Sequence, residues 1–358
     1  MYKGKVGLQQ LFKEHYVDAD LRIEDIQRRE VAFLVNPKEG VWDRAKYYST
    51  ITELREDLTE KRTPPAIFTS TAYYMDPNER RPTKRGILGW DFIIDIDSYI
   101  EDSEDRIDFI DEIREKTKAV IDRFLPDLGF DTDDIQLNFS GNKGFHIRIS
   151  TPECRVLSKE DRQQIMGYIV GDKLDRTLLL ENDRLTFYGW DRQVMYFINK
   201  IADNPSEEEL LKYFPKTKAK KINSLLSDPA VIARLRKGSL IDFDVKTLRS
   251  AMIKEHKMNV KEIVDKGCTT DRHRILRVPG SIHPSTGLPA ISIDKYQLEN
   301  SDLIVDEIMR VAGEDIVEIE LQNDISIDFP CKKDFTKGTH EVPRYEALCA
   351  LVQDCKFE

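Results

Sequence analysis

Residues 91–97 read "DFIIDID", with Asp95 and Asp97 two apart in an apolar run. In an extended strand alternate side chains share a face, so these carboxylates project together while Phe92, Ile94 and Ile96 face the other way. Their α-carbons then lie about 6.5 Å apart, from a rise of about 3.3 Å per residue. Two like charges side by side on an apolar strand repel each other and resist desolvation unless a cation sits between them. A divalent ion is the natural remedy, because Mg²⁺ takes one or two carboxylates together with substrate phosphates. Taken alone, the pair also suits a strand end with two solvated aspartates.

A second group lies in "QLNFSGNKGFHIRI", residues 136–149. Phe145, Ile147 and Ile149 share one strand face, which turns His146 and Arg148 to the polar side. Ser140, Gly141 and Gly144 form a turn whose backbone N–H groups can be approached closely, since glycine has no Cβ, and Lys143 sits at its tip. Beside a carboxylate strand, this loop suits a metal-chelated triphosphate; in isolation it suits an ordinary hairpin. The third group is "VDKGCTTDRHRILRVPGSIHPSTGL", residues 264–288. Arg277 and His283 can both reach anionic oxygens, although Pro279 and Gly280 interrupt any strict alternation between them. Asp265 and Asp271 are candidates for a third metal carboxylate. On its own this stretch reads as a surface loop leading into a strand.

These groups need elements to hold them. "LQQLFKEHY" predicts an amphipathic helix and "REVAFLV" a strand, while "TPPAIFTSTAYYM" is extended after a proline break. The basic loop "ERRPTKRG" leads into "ILGWDFIIDID", whose branched and aromatic content predicts one buried strand. Ile107, Ile110, Ile113, Val120, Ile121 and Phe124 have the spacing of a helix over 103–125 lying on a sheet, ended by "PDLG". A further helix begins at Ser158, which has an acid three residues on. Lys200 to Arg249 is helical in character, and strand patterns return in "RILRVPGSIHPSTGLPAISI" and "DIVEIELQNDISIDF". The pattern is a core whose strands come from both ends of the chain, interrupted by a helical insertion.

Composition narrows the function classes. The 358 residues suffice for one large domain with an insertion or for two domains. No apolar run approaches the ~18 residues of a membrane helix, and a cytoplasmic, soluble protein is expected. Five scattered cysteines without a C-x-x-C spacing argue for reduced thiols rather than a disulfide framework or zinc site. The net charge of -10 argues against a protein coated in basic residues for nucleic acid. Between Asp91 and Asp134 there are 16 acidic and 5 basic residues, a local net of -11 that accounts for the whole deficit. Lys212 to Lys237, by contrast, holds eight Lys or Arg against the single acid Asp228, a local basic surface for a phosphate backbone or partner, or a solvated helix face.

In this order the three groups resemble the catalytic small subunit of the archaeal and eukaryotic type of primase, most closely its archaeal members. The resemblance extends to "REVAFL", "AYYMDP" and the terminal "VPRYEALCALV". It implies an α+β fold, the primase-polymerase core of mixed β-sheet and helices, with the core in residues 1–199 and 250–358 and a helical subdomain inserted at 200–249. It implies that Asp95, Asp97 and Asp265 bind Mg²⁺ or Mn²⁺ and are catalytic. Ser140, Gly141, Lys143, Gly144, His146, Arg277 and His283 would bind the nucleotide's phosphates.

The implied activity is template-directed nucleotidyl transfer, making short RNA or DNA primers from nucleoside triphosphates on single-stranded DNA. Arg80, Arg81, Lys84 and Arg85, with the basic patch, are candidates for the template or primer backbone. The implied partner is the large primase subunit in a heterodimer, which in the family carries an iron-sulfur cluster. One departure stands out: family members usually carry a small zinc-binding element between the two central motifs, whereas residues 98–135 contain neither Cys nor His, so no structural zinc is expected. A stand-alone primase-polymerase of DNA repair or of a mobile element shares the same motifs and is the alternative.

Overall fold

The computed structural model describes residues 1–97, 106–172, 184–185 and 188–355. The chain divides into two compact units, Met1–Thr117 with Asp133–Arg162 and Asp265–Glu358, and Lys118–Thr132 with Gln163–Val264.

The strands that carry the three motifs, and those that complete their sheets, lie in the first unit. In chain order they are β1 (Val31–Asn36), β2 (Val41–Lys46), β3 (Ala66–Ser70), β4 (Phe92–Asp97), β5 (Ile135–Phe139), β6 (Gly144–Ile149), β7 (Ile275–Arg277) and β8 (Ile291–Ile293). One sheet runs β4-β6-β5-β8, with the short strand Val264–Asp265 at its β4 edge; the other runs β7-β3-β1-β2. The β4–β6, β6–β5 and β5–β8 pairs are antiparallel, and their register sets Asp95 opposite His146, His146 opposite Asn138, and Asn138 opposite Ser292. A polar row therefore crosses one face.

The opposite face is apolar, because a two-residue period puts every other side chain there. Phe92, Ile94, Ile96, Leu137, Phe139, Phe145, Ile147, Ile149, Ile291 and Ile293 are all buried. At about 1.5–3 kcal/mol per large side chain, this layer fixes the register: a one-residue slip would carry the whole set into water. Ile93, on the Asp95 face, is also buried, against Cys268 and Leu276.

Residues 87–97, expected as one strand, are two. Ile87–Trp90 pairs with Ala72–Tyr74 in a separate ribbon, and the chain breaks at Asp91 before β4 begins. The cause is the Asp91 side chain, which is wholly buried and accepts hydrogen bonds from Arg29 Nη1 at 2.9 Å, Arg148 Nε at 2.7 Å and the Tyr73 hydroxyl at 2.9 Å. The helix expected over 103–125 spans Arg106–Arg123, and positions 103–105 fall outside the described residues. The one predicted from Ser158 runs Lys159–Val170, with a reciprocal cap in which Ser158 Oγ accepts from the Asp161 amide at 3.1 Å and Asp161 accepts from the Ser158 amide at 3.0 Å.

The second unit is helical, with Gly189–Asp203, Glu207–Tyr213, Lys216–Leu226, Pro229–Leu235 and Val245–His256 packed around Phe197, Ile198, Ile201, Leu210, Leu235 and Leu248. Ser206, Asp228 and Asp244 cap three of these helices by accepting from backbone amides, each worth about 1 kcal/mol. Residues 200–249 lie within this unit. Lys216, Lys218, Lys220 and Lys221 are exposed on one helix, since Ala219 and Ile222 take the buried positions. Among the described residues no helix is long and apolar enough to cross a membrane.

Candidate active site

Asp95 and Asp97 leave β4 on the same side, as the alternation predicts, but into different surroundings. Asp95 is buried; its Oδ1 has no hydrogen-bond partner and lies 3.4 Å from His146 Nε2. Asp97 opens to solvent at the strand end. Protein atoms packed round its base and then the Asp95 charge push its carboxyl above the usual range. Burial lowers the His146 imidazole, opposed by the charges of Asp95 and Asp97. Two carboxylates and an imidazole thus share one corner with an excess of negative charge.

The S-G-x-x-G loop closes on itself: the Ser140 amide donates to the Gly144 carbonyl at 2.9 Å, and the Gly144 amide to Ser140 Oγ at 3.3 Å. Gly144 has a reason that the sequence alone does not show. A Cβ there would sit 1.9 Å from Asp97 Oδ1 and 2.5 Å from the Ile96 carbonyl, so any side chain would evict the carboxylate. Gly141, with φ +81°, lies against the third motif, where a Cβ would meet the Leu288 carbonyl at 3.0 Å. Thr286 Oγ1 donates to the Gly141 carbonyl at 2.7 Å, tying the two loops together.

The third motif is held from behind by the N-terminal helix Gly4–Asp18, whose His15 Nε2 lies 2.7 Å from the Gly280 carbonyl. Arg277, on β7, is unusual. Its Nε is buried without a hydrogen-bond partner, its Nη1 reaches only the Ile282 carbonyl at 3.4 Å, and its guanidinium lies 4.8 Å from the centre of the Phe68 ring. Burial lowers this guanidinium to about 10, only partly opposed by Tyr16. Among the described residues no carboxylate pairs with it. A half-buried cation whose Nε is cut off from both water and a carboxylate suits an incoming anion. At His283, the Ser285 amide donates to Nδ1 at 3.2 Å, which leaves the ring proton on Nε2.

Asp95, Asp97, Ser140, Lys143, His146, Arg277 and His283 line one cavity of about 210 Å³, together with Phe68, Asn142 and Arg274. Its mouth is acidic on β4 and cationic on the two loops. Asp265 is linked to this group through Arg274, whose Nη2 lies 3.2 Å from Asp95 Oδ2 and 3.9 Å from Asp265 Oδ2. Among the described residues no three His, Cys, Asp or Glu side chains gather as a ready-made metal cluster. Asp271 turns away, accepting from the His273 amide at 2.9 Å and lining a different cavity with Trp90 and Lys159.

Sequence reasoning passed over Phe68 and Arg274. The alternation of "AIFTS" carried the signal for Phe68, which faces opposite to Ile67; for Arg274 there was none, because it lies just before β7 begins.

A larger cavity, about 790 Å³, is lined by Arg44, Lys46, Lys61, Arg62, Arg80 and His273, among others. Much of its charge is already neutralised, through Arg44 with Glu30 and through Lys46 and Arg62 with Asp43, so size alone does not make it the reaction centre. Of the four basic residues at 80–85 read as backbone contacts, Arg85 is buried against Glu30 at 2.5 Å and so is committed to the fold, and Arg81 pairs with Glu79.

Residues 92–294 match the family model described as the DNA primase small subunit. Over nearly its whole length the chain is also similar to archaeal proteins named DNA primase small subunit PriS. That of Methanosarcina acetivorans is 26% identical over 95% of this chain and 93% of its own length. That of Methanococcoides burtonii is 27% identical over 97% and 96%, and that of Picrophilus torridus 25% over 93% and 91%. The matched region begins at the first residue of β4 and ends just after β8, so it encloses all three groups that line the cavity. The chain belongs to the DNA primase small subunit family.

Proposed function

We propose that this primase subunit joins nucleoside triphosphates on a single-stranded DNA template, at the cavity between β4 and the two loops, making short RNA or DNA primers with release of pyrophosphate. The observation that carries the reading is the pairing, in one cavity, of two neighbouring carboxylates with a half-buried guanidinium that, among the described residues, has no carboxylate of its own. One half attracts cations and the other anions, as a metal-bound triphosphate requires.

The residues fit a divalent ion. Asp95 Oδ1 is a buried oxygen without a hydrogen-bond partner, and Asp97 offers a second hard oxygen on the same face. Asp95 and Asp97 would hold Mg²⁺ or Mn²⁺, with Asp265 as a third ligand. Such ions lower the pKa of a ribose 3′-hydroxyl and offset charge building on the phosphoryl oxygens. Lys143, Arg277 and His283 receive the β- and γ-phosphates, where the charges of Lys143 and Arg277 and the Nε2–H of His283 compensate the departing pyrophosphate. His146, held next to Asp95, orients that carboxylate and faces the same phosphates. The Ser140–Gly144 turn offers backbone N–H groups that glycine leaves open to close approach. The chain's own contribution is positioning and electrostatics.

A chain of net charge -10 gains little from nonspecific attraction to DNA, which supports a working form paired with a large primase subunit in a cytoplasmic heterodimer. The test is primer synthesis from labelled nucleotides on single-stranded template with Mg²⁺ or Mn²⁺. Asp95→Asn and Asp97→Asn should each lose activity by about 100-fold or more while remaining folded. Undiminished synthesis by either variant would remove the carboxylate pair from the reaction.

A further inference from the structure

Arg274 lies among the carboxylates proposed as metal ligands. Its Nη2 lies 3.2 Å from Asp95 Oδ2 and 3.9 Å from Asp265 Oδ2, so one guanidinium bridges two of the three carboxylates proposed as metal ligands. It also lines the cavity that contains Asp97, Lys143 and Arg277. We propose that Arg274 is the built-in counter-ion of the metal-free site: it holds Asp95 and Asp265 together, opposes metal binding, and changes partner to the triphosphate when metal and nucleotide enter. This rests on the proposed nucleotidyl-transfer site.

Three features of the structure argue for an exchange rather than a fixed bridge. A guanidinium 3.2 Å from Asp95 Oδ2 and a divalent cation on Oδ1 of the same carboxylate repel each other at short range, which drives the arginine off as the ion enters. Its backbone is pinned, with the Arg274 carbonyl accepting from the Thr71 amide at 3.0 Å and from Thr71 Oγ1 at 3.3 Å, and its amide donating to the Asp271 carbonyl at 3.1 Å. The side chain is 40% exposed, leaving room for a rotamer change on that fixed stem. The destination lies in the same cavity, beside Lys143 and Arg277, and a planar guanidinium suits phosphate oxygens in bidentate contact. Metal and triphosphate then favour each other's binding, because the nucleotide supplies the anion that releases Arg274 from the carboxylates.

The experiment is titration of the full chain with Mn²⁺ alone, followed by electron paramagnetic resonance, for the native protein, Arg274→Gln, Arg274→Lys and Asp95→Asn, with folding checked by circular dichroism. Arg274→Gln should bind Mn²⁺ about tenfold tighter than the native chain, within the usual range of couplings between charged sites. Arg274→Lys, whose compact charge cannot span both carboxylates, should fall between the two and decides the matter should the neutral variant not fold. With saturating Mn²⁺, Arg274→Gln should also raise the triphosphate KM roughly tenfold, as loss of a charged phosphate contact does.

Unchanged or weaker Mn²⁺ binding in both Arg274 variants overturns the counter-ion role. Tighter Mn²⁺ binding with an unchanged KM overturns the change of partner. Asp95→Asn separates this from the site itself: if that variant binds Mn²⁺ as the native chain does, the metal assignment fails, whatever Arg274 does.

Discussion

Arg277 shows what a single residue is asked to do here. Its Nε is buried without a partner, and burial lowers the guanidinium to about 10, so it remains charged near neutrality in surroundings that do not favour charge. That is a cost to the fold, set against the proposed phosphate site. Arg277→Met should therefore keep or raise the melting temperature. The same substitution should raise the triphosphate KM about 10- to 100-fold, the range for a lost hydrogen bond to a charged group. Thermal melts and steady-state kinetics on one preparation check both halves. A melting temperature that falls together with activity would make Arg277 a structural residue instead. Gly144 makes the complementary case, where a missing side chain is the function, since Asp97 Oδ1 fills the space that a Cβ would take.

At the scale of elements, the start of β4 is set by the buried knot of Asp91, Arg29, Arg148 and Tyr73. Arg148 lies two residues after His146 on β6, so one ion pair locks the strand carrying the carboxylates to the strand carrying the imidazole. Removing the carboxylate charge leaves two guanidiniums buried, and Asp91→Asn should destabilise the fold by about 3–5 kcal/mol, measurable by urea unfolding. Burial alone would raise the Asp91 carboxyl, but Arg148 and Arg29 outweigh it and hold the group below the usual carboxylate range. Glu30 behaves in the same way, with Arg44, the Ala45 amide and Arg85 outweighing its burial. A depressed folded pKa contributes stability that is fully present above the unfolded value of about 4 and is lost as pH falls through the lower folded value. The native chain should lose stability on acidification below about pH 4, and Asp91→Asn should show a shallower acid limb. Parallel acid limbs would mean that Asp91 is not the group responsible.

For the whole molecule, charge is organised rather than diffuse. The -11 net between Asp91 and Asp134 is an acidic stretch of sequence that begins at β4, while lysines on the helix Lys216–Leu226 face solvent in the helical unit. With about three phosphates neutralised on a single strand, the salt slope is about -2, so raising salt fourfold should weaken binding of the isolated chain roughly 16-fold. If the exposed lysines touch the strand, Lys220→Glu with Lys221→Glu should lower that slope by about one to two, while leaving Mn²⁺ binding alone. Fluorescence anisotropy over a salt series measures it. An unchanged slope would assign those lysines to solvent or to a protein partner.

The sequence by itself determined the pieces of the site. A two-residue period is enough to put Asp95 with Asp97 and His146 with Arg148, and turn glycines mark where a loop can approach a ligand. It also showed the helical character of Lys200 to Arg249, where the structure adds the caps Ser206 and Asp228. Only the tertiary structure decided how the pieces meet. Asp91 breaks a run that reads as one strand, because its partners Arg29 and Arg148 come from positions 62 and 57 residues away. Arg274 reaches Asp95 across 179 residues. Local periodicity records which face a side chain takes, and the long-range charge pairing that joins Asp91 to Arg29 or Arg274 to Asp95 has no period to read.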